Sequence, residues 1–211
     1  LKAFAADTVS AFGGVLVSNQ TIDLAAAEEL NKLFFEVLIA PGFEPEALDL
    51  LKGKKNRILL VKKQNLTAKK QYKSLLNGVI VQDRDLVTDQ AADFKTVTKK
   101  QVTEAQKRAL VFASKVCKHT KSNTIILATE NQMLASGVGQ TSRVDALKQA
   151  IEKAKSFGFE LQGAVMASDA FFPFPDCVEI AHGEGIEAVI QPGGSIKDEL
   201  SINFCDEHNM A

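Results

Sequence analysis

Val37-Leu38-Ile39-Ala40-Pro41-Gly42 decides how this chain is read. A short apolar run stopped by a Pro-Gly pair describes a buried strand with its turn. Working outward towards the N-terminus, Asp23 is an N-cap for a helix reaching about Phe35, with apolar positions at Leu24, Ala27, Leu30 and Phe34. Before it, Gly13-Gly14 opens into Val15-Leu16-Val17-Ser18, a second strand. Towards the C-terminus, Pro45 suits the first turn of a helix ending near Lys52-Gly53, and Arg57 to Lys62 reads as a third strand. Strand, helix, strand, helix, strand at this spacing predicts an α/β fold with a mainly parallel sheet and covering helices.

The pattern continues with a strand over Gly78 to Asp83, a polar segment over Arg84 to Asp93, and an edge strand over Phe94 to Thr98. Thr103 and Gln106 have capping-box spacing and open a helix to about Lys118, whose stripe is Ala109, Phe112, Ala113 and Val116. Strands are expected over 124–128, 133–138, 163–167 and 186–190. Helices are expected from Ser142 to about Phe157, over 176–185 and over 196–208. Two α/β lobes result, 1–98 and 99–211, with a similar strand–helix rhythm that suggests a duplication. Leu1 to Ala6 reads as the tail of a helix already under way, and no closing strand follows the final helix, so a fragment is expected.

Composition narrows the function classes. The 211 residues are 45% hydrophobic with a formal net charge of −1, which gives no basic footprint for nucleic acid. No run approaches the roughly 20 apolar residues of a membrane helix, and no cationic apolar leader is seen. Cys117, Cys177 and Cys205 are odd in number and widely spaced, which suggests neither a disulfide framework nor structural zinc. The expected setting is a reducing cytoplasm.

Four loops carry the candidate chemistry. Lys118-His119-Thr120-Lys121-Ser122-Asn123 joins a helix to a strand. Its lysines and His119 fit a solvated helix end. Asn123 enters an apolar strand, where an amide can donate and accept at once; a turn residue is the plain alternative. Gly137-Val138-Gly139-Gln140-Thr141-Ser142-Arg143 leads to a helix N-terminus, with glycines allowing close approach and Arg143 offering a fork for an anion. Asp169-Ala170-Phe171-Phe172-Pro173-Phe174, with Asp176 beyond, suits a flat heterocycle with hydrogen-bonding edges, although one or two of the rings are expected to cover the core. Pro192-Gly193-Gly194-Ser195 is a second candidate anion loop. The His and Cys residues do not assemble into the His-x-Glu and Pro-Cys-x-x-Cys pattern of a zinc deaminase.

At these residues the chain resembles the transformylase domain of the bifunctional purine-biosynthesis enzymes, in which aminoimidazole carboxamide ribonucleotide (AICAR) transformylase is coupled to IMP cyclohydrolase. The resemblance runs through Ser10-Ala11-Phe12-Gly13-Gly14, Gly78 to Asp85, Lys121-Ser122-Asn123, Gly137 to Arg143, Ser168 to Phe174 with Asp176, and Gln191 to Ser195, in family order. It implies formyl transfer from 10-formyltetrahydrofolate to the exocyclic amine of AICAR. It further implies duplicated cytidine-deaminase-like lobes of three α/β/α layers without catalytic zinc, the first lobe incomplete and the second lacking its last strand.

By the same resemblance Asn123 orients the amine and formyl groups. Phe12, Gly13, Gly14, Gln140, Arg143, Val144, Asp169, Phe171, Pro173, Phe174, Asp176 and Ser195 bind nucleotide or folate, and the enzyme is a cytoplasmic homodimer. Two departures stand out. Pro175 occupies a position where many members have arginine. The family's catalytic Lys-His pair is expected upstream of this chain, and Lys118-His119 is not that pair. The competing reading is a catalytically silent α/β module that binds a nucleotide or folate, or serves assembly.

Overall fold

The structure, a computed structural model, describes residues 1–64 and 67–211. The chain divides into two compact units, Thr8–Leu86 and Val87–Ala211, the second joined by Lys2–Asp7.

In the first unit, β1 (Gly14–Val17), β2 (Phe35–Ala40) and β3 (Ile58–Val61) form a parallel sheet in that order. The crossovers are α2 (Leu24–Asn31) and α3 (Pro45–Lys52). Asp23 caps α2 by accepting from Ala26 N, and Pro45 opens α3, as their positions suggest. The α2 helix stops at Asn31, short of the expected Phe35, because Phe35 begins β2 and is buried in the core. Ile22, Ala27, Leu38, Ala40, Ala47 and Leu51 complete that core.

The register places Val15, Val37 and Ile58 in one row and Val17, Ile39 and Leu60 in the next. Four of these six are exposed, at 63% for Val15, 71% for Val17, 52% for Ile58 and 46% for Leu60. Apolar residues on both faces of parallel strands are the pattern of a sheet meant to be covered twice. The unit's own helices cover the opposite face.

A hairpin of β4 (Lys70–Leu75) and β5 (Gly78–Asp83) completes this unit. The β4 strand escapes sequence reading because Lys70 and Lys73 break any apolar run, although Asn77-Gly78 is a hairpin signal.

The second unit has a mixed sheet, not the mainly parallel one expected. Its order is β7 (Gln132–Gly137), β6 (Ile125–Thr129), β8 (Val165–Ser168), β9 (Ala188–Ile190). The β6 strand runs antiparallel to both β7 and β8, and only β8 and β9 are parallel. Alternation along β6 splits the core: Ile125 and Leu127 face α5 (Arg143–Ser156), α6 (Asp176–Gly183) and α7 (Asp198–Glu207), while Ile126 and Ala128 face α4 (Glu104–Lys118). Helices therefore cover both faces.

The capping box of α4 is present, with Gln106 N donating to Thr103 Oγ1 at 3.2 Å and Thr103 N to Gln106 Oε1 at 2.9 Å. The expected edge strand over Phe94 to Thr98 is absent. Residues 91–93 make a 3-10 turn capped by Gln90 and Asp93, and Phe94 packs towards the α4 core instead of joining a ladder. A short helix, α1 (Lys2–Ala5), accompanies this unit. No helix among the described residues is long and apolar enough to cross a membrane.

Candidate functional site

Asn123 lies just before β6, in a segment that pairs with the loop after β7. Its backbone exchanges bonds with Gln140, N to O at 3.2 Å in both directions, and Gly139 N donates to Lys121 O at 2.8 Å. The side-chain Nδ2 donates to Gln140 O at 2.9 Å and Thr141 O at 3.1 Å. Both partners are carbonyl oxygens, so the amide has one orientation, with both hydrogens committed and Oδ1 left as an acceptor. The peptide between Ser122 and Asn123 is cis.

Asp169 follows β8 and ties this segment down. Its Oδ1 accepts from Thr124 N at 2.9 Å, and its other oxygen accepts from the Ser122 hydroxyl. Thr124 is fully buried and donates its hydroxyl to Gly137 O at 2.9 Å. Arg143 Nη2 stands 4.0 Å from Asp169 Oδ1, a loose pair, and the buried Arg143 Nε has no partner among the described residues. A guanidinium that is mostly buried and under-satisfied has donors left for a further acceptor.

The Gly-x-Gly loop has two different glycines. A Cβ on Gly137 would lie 1.8 Å from Ala146 O, so this glycine lets α5 pack on β7 and is not turned towards a ligand. Gly139 has φ +69°, which a side chain would strain. Ser142 caps α5, accepting from Asp145 N at 3.1 Å and donating to the Asp145 carboxylate at 2.7 Å. Gln140 turns its side chain back onto Gln149 Oε1 at 3.1 Å, and Val144 packs against the core.

The aromatic loop is divided. Phe172 is 1% exposed and belongs to the core, while Phe171 and Phe174 are 42% and 50% exposed. Pro173 is also exposed. Asp176 opens α6 and accepts from Cys177 N at 2.9 Å. Burial pushes the Cys177 thiol up to about 12; Asp176 adds to the rise and Arg143 opposes it, so both charges reach that thiol. Asn123, Gln140, Arg143 and Asp169 are thus assembled by contacts and the loops that hold them, while Asp176 stands apart at the start of α6.

Ser195 sits in a turn whose amides are already taken. Gly194 N and Ser195 N donate to Asp198 Oδ2 at 2.7 and 3.1 Å. The expected anion loop therefore holds the chain's own carboxylate. Phe12, Gly13 and Gly14 belong to the first unit, where Phe12 is 76% exposed and lies tilted by 32° against the Phe34 ring, centre to centre 4.6 Å. Gly13 N there donates to Phe34 O at 3.1 Å.

Ser122 and Gln191 lie in stretches the sequence reading quoted but received no role of their own there, and Asp198 was passed over altogether. The last had a signal: an acidic residue three positions after a Gly-Gly-Ser turn, in the first turn of a helix. Among the described residues no three His, Cys, Asp or Glu side chains converge as a metal site would require. His119 is the C-cap of α4, as a solvated helix end would be.

The family model for the AICARFT/IMPCHase bienzyme matches residues 1–153. The chain belongs to this family. The bifunctional purine biosynthesis protein PurH of Bacteroides thetaiotaomicron is 65% identical over 209 residues, covering 99% of this chain and 41% of that protein. The PurH proteins of Leuconostoc citreum and Clostridioides difficile are 51% and 49% identical, covering 100% and 99% of this chain and 42% and 41% of theirs. The chain thus spans about two fifths of the length of these curated relatives. A deaminase/reductase from Thermotoga maritima aligns with 49% of this chain and 33% of its own at 22% identity and a TM-score of 0.32, a likeness too slight to carry an argument.

Proposed function

We propose that this chain is part of a folate-dependent formyltransferase that moves a formyl group from 10-formyltetrahydrofolate to the exocyclic amine of AICAR in purine biosynthesis. The observation that carries the reading is the Asn123 amide. With both hydrogens held by Gln140 O and Thr141 O, it can only accept. An accepting Oδ1 holds one N–H of the amine and so aims the nitrogen lone pair at the formyl carbon. The expectation that Asn123 orients both groups narrows to the amine.

Asp169 supports the segment that carries Asn123, and Arg143 grips an anionic group of the ligand with its spare donors. Phe171 and Phe174 offer exposed rings to a flat heterocycle. In the transfer a new N–C bond forms, the bond from the formyl carbon to the folate nitrogen breaks, and the proton lost by the amine passes on balance to that departing nitrogen. The family's Lys-His pair would manage that proton. The uncovered face of the β1–β2–β3 sheet supports reading the first unit as part of a larger three-layer, cytidine-deaminase-like lobe.

The test is Asn123→Ala in the full-length protein. The turnover number is expected to fall at least about tenfold while the affinity for AICAR changes far less. Lys121→Ala, two positions away, should have little effect. Equal and small changes at both positions would return Asn123 to a turn residue.

A further inference from the structure

Three contacts join the aromatic loop to the Gly-Gly-Ser turn. Phe172 N donates to Gln191 Oε1 at 2.9 Å. Gln191 Nε2 donates to Asp198 Oδ1 at 3.4 Å. Asp198 Oδ2 accepts from Gly194 N and Ser195 N. The positive φ of Gly193 and Gly194, +69° and +96°, belongs to the turn that presents these amides to one carboxylate. Lys197 Nζ lies 4.4 Å from the Phe174 ring centre, a second tie between the same two segments.

The polarity of this chain of bonds is forced. Both of its ends are backbone N–H groups, which can only donate. Gln191 must present its oxygen to Phe172, and so must present its NH2 to residue 198. Residue 198 must then accept on both sides, and among side chains of this size only a carboxylate does that. The structure assigns Gln191 and Asp198 as positioning residues: a latch of fixed polarity that holds the Phe171–Phe174 wall against the Gly193–Ser195 turn. Its role in ligand binding rests on the function proposed above; the latch itself does not.

An amide in place of the Asp198 carboxylate would set two donors against each other, so Asp198→Asn should behave as a loss despite its shape. Gln191→Glu would set two acceptors together. The double variant Gln191→Glu/Asp198→Asn rebuilds the network with its roles exchanged. The carboxylate introduced at position 191 then accepts at both ends, while the amide introduced at position 198 donates to it and accepts from the turn.

The experiment compares these four full-length proteins, wild type included, by hydrogen exchange at the Phe172, Gly194 and Ser195 amides and by titration with AICAR. Each single variant should speed exchange about tenfold or more, as expected for loss of a hydrogen bond to a charged group. Each should also weaken AICAR binding, and the double variant should recover most of both. Unchanged exchange in the single variants, or no recovery in the double, overturns the latch. Faster exchange with unaltered AICAR binding overturns its positioning role. The predicted exchange pattern with no AICAR binding by the wild type supports the latch and refutes the proposed function instead.

Discussion

Gly137→Ala tests how the site is supported, because its cost can be worked from one distance. The added methyl would lie 1.8 Å from Ala146 O, 2.6 Å from its carbonyl carbon and 2.9 Å from its Cα. Ordinary contact begins at 3.4 Å, so β7 and α5 would have to part by 3.4 − 1.8 = 1.6 Å at this point. The obstacle is helix backbone, which cannot rotate away. Ala146, Leu147, Ala150, Ile151 and Ala154 of α5 are all buried, so the shift would loosen one whole face of the core. Overpacking typically costs about 1–3 kcal/mol, and a backbone clash belongs at or above the top of that range.

We expect urea denaturation to report a loss of about 3 kcal/mol or more. Gly139→Ala is the control. Its Cβ meets nothing nearer than Lys121 Cδ at 3.8 Å, so only the left-handed backbone is penalised, by about 1 kcal/mol. Arg143 starts α5 one turn before Ala146, so Gly137→Ala should also weaken ligand binding through the Arg143–Asp169 pair. A loss below about 1 kcal/mol for Gly137→Ala, or equal losses at both glycines, would refute the close packing of β7 on α5.

The remaining predictions concern the core and the aromatic loop. Phe172→Ala should cost about 3–5 kcal/mol, as for a buried ring, while Phe171→Ala and Phe174→Ala should leave stability nearly unchanged and weaken AICAR binding; urea melts and titration separate the two effects. Burial pushes Cys117 and Cys177 up to about 12 and Cys205 to about 11, from an ordinary value near 9.0. The folded thiols ionise later than the unfolded ones, so their contribution is intact below pH 9 and is lost as pH rises through the interval to 11–12. At about pH 8 a thiol reagent should therefore label the native chain slowly and the urea-unfolded chain at all three cysteines.

The first unit's parallel sheet was legible because Val15–Val17, Val37–Ala40 and Ile58–Val61 are unbroken apolar runs with helices between them. The antiparallel direction of β6 was not, since buried central strands read as apolar runs whichever way they point. Asn123 drew notice as an amide entering an apolar strand and Asp169 as a carboxylate at the rim of the aromatic loop; Asp169 binds the residues on either side of Asn123, Ser122 and Thr124. Gly137 drew notice for a different reason from the one its contacts give: a glycine that admits a helix and one that admits a ligand look the same in sequence. Asp198 was hidden because its role depends on Gln191 and Phe172, residues 7 and 26 positions earlier in the chain (198 − 191 and 198 − 172).

The decisive measurement is a crystal structure of the full-length protein with AICAR bound. The exocyclic nitrogen should lie about 3 Å from Asn123 Oδ1, with the ring against Phe171 or Phe174. Nδ2 should remain on the carbonyls of Gln140 and Thr141. AICAR bound elsewhere, or bound with Asn123 turned away from the amine, would refute the role given to Asn123.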